Sequence, residues 1–220
     1  MTEPDAPNAP GLEPGCPRCP TAVEHTISGF ACPVHGVVPP VWRPREASYD
    51  AFGAHLLAAR AFPTYLPWPM VPGWRISDFA VVAGGPEAAL ATMTCTSGTS
   101  EHDGPVDLVV VSEEPGTGLG ARCAGLPGDD PGAEVGQGPP SARVRIGTHP
   151  VALWAVSTSG ADRDFDRSVV AGEAFGRWLW LVLRPAPAVL MLREEWLLQD
   201  VSSVGPALVE LAFGGPAPAW

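Results

Sequence analysis

From Trp74 onward the chain takes on the period of strands. Trp74 and Ile76 alternate with Arg75 and Ser77 and lead into an apolar run at 79–83, the pattern of a pleated segment with one face turned inward. Stretches 88–96 and 106–112 read the same way. Arg143, Val144, Arg145 and Ile146 alternate cleanly, and a turn at 147–150 delivers the chain to 151–156. Beyond them, 178–183 and 189–193 flank Pro185-Ala186-Pro187 as another strand pair, and 207–213 offers a closing strand. Short links between successive strands favour an antiparallel meander.

Helical signals are fewer. Ser48 is placed to cap a helix that carries Phe52, Leu56 and Leu57 to about Arg60 and stops before Pro63. A second short helix is expected over 164–176, where Glu173 and Arg177 stand four apart in the favoured order for an ion pair. Between the first helix and the first strand, 63–74 holds four prolines, which remove amide donors and make it an extended aromatic loop. The Gly/Pro-rich stretch 125–140 reads as an exposed loop. No internal repeat is present.

Ahead of all this, Cys16 and Cys19 are followed after twelve residues by Cys32 and His35, a C-x2-C-x12-C-x2-H array. Two short hairpins that each offer a pair of soft or borderline donors suit a tetrahedral zinc ion. His25, between the pairs, is a second candidate for the fourth ligand, but His35 has the better hairpin spacing. Pro20 follows the first pair where Gly36 follows the second, and without an N–H it cannot support a thiolate there. Loose thiols or two disulfides are the alternatives; five cysteines leave one over, and 1–20 lacks the basic and apolar segments of an export signal. The expectation is a cytoplasmic protein with structural zinc.

The chain thus divides into a Pro-rich acidic tail at 1–14, a zinc-ribbon-like module at 15–40 and a main domain at 41–220. The expected fold class is α+β: an antiparallel sheet meander with about two helices, preceded by that small module.

Charge narrows the chemistry. The net charge is −11, and all 13 basic residues are arginine. Without lysine there is no Schiff base, no P-loop lysine and no pyridoxal phosphate aldimine. Arg18 is the one arginine between 15 and 40 and has Glu24 nearby, so nucleic acid is an unfavourable partner. The apolar run 178–183 is too short to cross a membrane.

The segments C-P-R-C at 16–19, P-W-P-M-V-P-G-W at 67–74, G-T-G-L-G-A-R at 116–122 and A-G-E-A-F-G-R-W-L-W at 171–180 together resemble an uncharacterised actinomycete protein family. That family begins with a CPRC...CxxH ribbon and continues with an aromatic-proline segment. The resemblance covers nearly the whole chain. It implies a shared architecture and brings no activity with it.

Within the main domain, Gly116, Gly118 and Gly120 invite comparison with phosphate loops, but a glycine-bearing turn is the better reading, because Glu113 and Glu114 sit just before them. Glu113 or Glu114 as a base, with Arg122 as an anion clamp, would make an enzyme site. Trp68 and Trp74, held by prolines, offer a recognition surface. Trp178 and Trp180 read as core residues, and Cys95 and Cys123 as buried thiols. His102 and His149 belong to no triad pattern, and Asp162, Asp164 and Asp166 lack the glycine and terminal glutamate of a calcium loop. The leading expectation is therefore a zinc-binding module that contacts a protein or small ligand, with no catalytic residue assigned. The alternative is an enzyme with its site near Glu113, Glu114 and Arg122.

Overall fold

Pairing begins at Leu12–Gly15 (β1), which runs antiparallel to Val41–Pro44 (β5) with Leu12 opposite Pro44 and Gly15 opposite Val41. The computed structural model describes residues 11–60, 62–84, 89–158, 166–193, 196–204 and 210–220. Between β1 and β5 the chain leaves as a three-stranded sheet of Glu24–Thr26 (β2), Gly29–Cys32 (β3) and Gly36–Val37 (β4). Residues 12–14, expected as part of a tail, thus enter the main sheet. The Cys/His segment departs from one strand and returns through that strand's neighbour, which ties down both its ends.

Helix α1 (Tyr49–Ala59) follows, with Ser48 Oγ accepting from the Ala51 amide at 3.2 Å and Arg60 closing it in the left-handed region. Its buried face carries Phe52, His55, Ala58 and Ala59, while Leu57 points to solvent. Further strands are Tyr65–Pro67 (β6), Arg75–Val82 (β7), Ala91–Ser100 (β8), Gly104–Glu113 (β9), Ala142–Ile146 (β10), His149–Val156 (β11), Ser168–Ala174 (β12), Arg177–Arg184 (β13) and Trp196–Asp200 (β14). With β1 and β5 they form an 11-stranded sheet in the order β1-β5-β7-β8-β9-β13-β12-β11-β10-β14-β6. The ladder is antiparallel except between β10 and β14.

The sheet curls back on itself. Thr92 and Thr94 of β8 donate their hydroxyls to the Pro63 and Tyr65 carbonyls at 2.5 and 2.6 Å, which lays β6, last in the order, against the middle of the sheet. Alternate residues of β9 and β13 therefore face two different cores. Leu108, Val110, Leu179 and Leu181 face inward with Leu153 and Leu198, and Val109, Val111, Trp180 and Val182 pack under a short helix α2 (Leu119–Ala124). A third core lies between α1 and β7, where Phe52 meets Phe79 at 5.0 Å between ring centres.

Several expectations are corrected. The helix foreseen over 164–176 is strand β12 from Ser168; Asp162 and Asp164 lie outside the described residues, and Asp166 pairs with Arg167. Val169, Val170 and Ala171 are all buried because both faces of β12 are covered, and a doubly covered strand loses the alternation that would reveal it. Phe175 and Gly176, both at positive φ, make the two-residue turn into β13. Glu173 consequently accepts from the Gly176 amide, and Arg177 reaches Glu114 instead. The strand foreseen at 189–193 is a 3-10 helix, Ala186–Arg193, which buries Ala188 and Leu192; two prolines at its start cannot feed a ladder. The strand there is β14, and its parallel partnership departs from a pure meander. Part of the aromatic loop is ordered as β6, an edge strand that tolerates Pro67. Of 207–213, residues 207–209 lie outside the described residues, and Phe213 makes an isolated parallel bridge with Ile76. Loop 125–140 is irregular and mostly exposed. Among the described residues, no helix is long and apolar enough to cross a membrane.

Candidate metal centre

The first hairpin, Cys16-Pro17-Arg18-Cys19, begins where β1 ends, and the second, Cys32-Pro33-Val34-His35, joins β3 to β4. Antiparallel pairing of β2 with β3 and of β3 with β4 brings the second hairpin back over the first. The four donor atoms of Cys16, Cys19, Cys32 and His35 lie within 4.8 Å of one another. Cys16 Sγ stands 3.5 Å from His35 Nδ1, Cys19 Sγ 3.6 Å from Cys32 Sγ, and Cys32 Sγ 3.6 Å from His35 Nδ1. A sulfur separation of that size is far beyond the ~2.0 Å of a disulfide, and all five cysteines are free thiols. The cluster is a Cys3His donor set able to hold one metal ion. His25 is not part of it; its ring meets Phe30 edge-on at 5.1 Å.

Backbone amides support the sulfurs. Arg18 N–H points at Cys16 Sγ and Val34 N–H at Cys32 Sγ, each at 3.4 Å. Burial pushes the Cys16 thiol up to about 11, with the Arg18 amide pulling the other way. Burial also works to raise Cys19, but Thr21 and the neighbouring Cys32 and Cys16 sulfurs outweigh it and bring that thiol to about 6. Thr21, one residue beyond Pro20, thus favours the Cys19 thiolate.

The cluster sits on the main sheet through its own hairpin. Arg18 Nη2 donates to the Gly116 carbonyl at 2.7 Å, and its Nε lies 3.2 Å from Asp129. From the other side Arg122, on α2, donates to the Cys16 carbonyl. The G-T-G-L-G-A-R segment is therefore the seat of the ribbon. Its conformation is set from below by Glu113, fully buried at the end of β9, whose Oε2 accepts from the Leu119 and Gly120 amides at 2.8 and 3.1 Å. The amides that a phosphate would have used are already occupied by this carboxylate. Gly120 is required at this point because a Cβ there would come within 2.2 Å of the Trp180 indole. Burial raises the Glu113 carboxyl to about 7 against the pull of those amides. Trp180 Nε1 and Glu113 Oε1 have no hydrogen-bond partner of normal geometry, although the indole lies near enough to favour the charged carboxylate.

The residues foreseen as an enzyme site or recognition surface go different ways. Glu113 caps α2, Glu114 pairs with Arg177 at 2.8 Å, and Arg122 braces Cys16. Trp74 is buried, edge-on to Trp196 at 6.3 Å and flush against Gly98, while Trp68 packs half-buried against the α1 core. Cys95 and Cys123 are fully buried, with the Cys95 thiol raised to about 12. Not foreseen was a strap at 217–220. Arg43 donates to the Pro218 carbonyl and pairs with buried Asp78 at 2.7 Å, and Trp220 Nε1 donates to the same carboxylate at 2.7 Å. Arg43 and Arg122 lie over the Trp220 ring at 4.3 and 4.4 Å. Nothing in the local pattern announces this strap; it depends on strands far apart in sequence.

A family model described as a family of unknown function, DUF6758, matches residues 11–220. No curated protein and no solved structure matches the chain.

Proposed function

The chain belongs to that family, which transfers no activity, and from its site we propose a zinc-binding protein in which a closed structural zinc locks the ribbon onto the Gly116–Arg122 seat of an interaction module. The observation that carries this reading is the spacing of the donor atoms. Around one tetrahedral zinc, thiolate–thiolate edges are about 3.8 Å and thiolate–imidazole edges about 3.5 Å; three of the six separations here are 3.5–3.6 Å, and all lie within 4.8 Å. Three thiolates and an imidazole also suit zinc better than they suit oxygen-seeking cations. Cys16, Cys19, Cys32 and His35 would fill all four positions, so the ion holds structure and presents no open site. The ribbon leaves Ile27, Val34 and Val37 exposed, which supports contact with a protein or small ligand as its use.

Metal analysis of the purified protein tests this directly. We expect one zinc per native chain and near-complete loss in Cys16→Ser combined with Cys32→Ser. Iron in place of zinc, or equal zinc in native and variant protein, overturns it.

A further inference from the structure

Where the ribbon meets its seat, four arginines from four separate segments converge. Arg18 of the first hairpin, Arg122 of α2, Arg167 just before β12 and Arg184 at the end of β13 line one cleft of about 430 Å³ beside Trp220. Two of the four are neutralised: Arg18 by Asp129 at 3.2 Å and Arg167 by Asp166 at 2.6 Å. The other two bond only to neutral acceptors, Arg122 to the Cys16 carbonyl and Arg184 to the Ala219 carbonyl. Among the described residues neither bonds to a carboxylate; burial works against the charge on both, Arg167 adds to the burden on Arg184, and Asp166 and the cross-strand Asp107 relieve part of it. A guanidinium stays charged under such pressure, so the cleft holds two cations with no carboxylate bonded to them, in a protein of net charge −11. A zinc centre with three thiolates carries a single net negative charge and offsets at most one of them.

We propose that this cleft binds a small, multiply charged oxyanion, a phosphate- or carboxylate-bearing metabolite, gripped by Arg122 and Arg184. Planar guanidiniums suit both chemistries, because each presents paired N–H donors to two oxygens. The backbone carbonyls that Arg18, Arg122 and Arg184 already contact hold the forks in place before the ligand arrives. The volume lies in the range of small-ligand pockets, about 300–1,000 Å³. The Trp220 ring already carries Arg43 and Arg122 over it, which favours a compact anion over a nucleotide that would need the ring for its base. The inference rests on the interaction-module reading and not on which metal fills the ribbon.

Isothermal titration of the full, metal-loaded chain with pyrophosphate and with citrate, at ionic strength held constant with chloride, tests it. Saturable one-to-one binding of either anion with Kd below about 1 mM is expected. Pyrophosphate alone points to a phosphate ligand, citrate alone to a carboxylate. Arg184→Gln should weaken binding tenfold or more with metal content unchanged, and Arg193→Gln, exposed on the 3-10 helix, should leave it intact. If R184Q does not fold, R184K, which keeps the charge and loses the fork, should still bind more weakly than the native protein. No saturable binding of either anion by metal-replete protein, or undiminished binding by the Arg184 variants, overturns the proposal. Zinc failure shows separately, in metal content.

Discussion

Glu113 illustrates how one side chain can be read in two ways until its partners are known. A glutamate before a glycine loop resembles a catalytic base, yet its carboxylate is spent on the first amides of α2. Its folded pKa of about 7 stands above the ordinary 4.5. The folded state therefore holds the proton more tightly, and the stability this contributes is present below pH 4.5 and lost as the pH rises through 7. Glu113→Gln keeps an acceptor for the amides but cannot titrate. Unfolding measured from pH 5 to 8 should show this loss in the native protein and not in E113Q. His55 acts in the opposite sense: burial lowers it from 6.5 to about 3, so stability falls as the pH drops below 6.5 toward 3. Gly120→Ala, forcing a methyl against Trp180, should cost about 1–3 kcal/mol in urea unfolding; a smaller cost would mean that the indole shifts freely.

Among elements, the ribbon and α2 depend on each other. The two arginines that join them reach across 98 and 106 positions of sequence, and the hairpin that supplies one of them carries two of the four donors of the proposed zinc site. Chelation should therefore release hydrogen-exchange protection at 16–37 and at 119–124, while the β9–β13 ladder stays protected. Protection at 119–124 that survives metal removal would show α2 to be independent of its tenant. The regular elements followed local signals well. Ser48 marked the start of α1 and the alternation at 143–146 marked β10, because caps and pleats are settled by neighbouring residues. β12 escaped notice because a strand covered on both faces carries no alternation.

At the scale of the molecule, Asp78 gathers distant parts. Its buried carboxylate takes Arg43 from β5 and the Trp220 indole from the strap. Asp78→Ala should cost about 1–3 kcal/mol, because it leaves the Trp220 indole and the part-exposed Arg43 without their acceptor, and should expose Trp220 to fluorescence quenchers. An unchanged urea midpoint would show the strap to be ornamental. The curl of the sheet, fixed by Thr92 and Thr94 on the carbonyls of 63 and 65, also lies at this scale, since it joins strands whose order cannot be read from spacing.

The sequence by itself determined the Cys/His hairpins, the capped helix and strands β7 to β11 and β13, because ligand spacing, capping and pleating act over a few residues. It also restricted the cationic chemistry to arginine. Only the tertiary structure decided that Glu113 fills its own anion site and that four arginines scattered from 18 to 184 share one cleft. Those outcomes depend on which strands become neighbours, and the energies that set neighbours are summed over the whole core and encoded in no single segment.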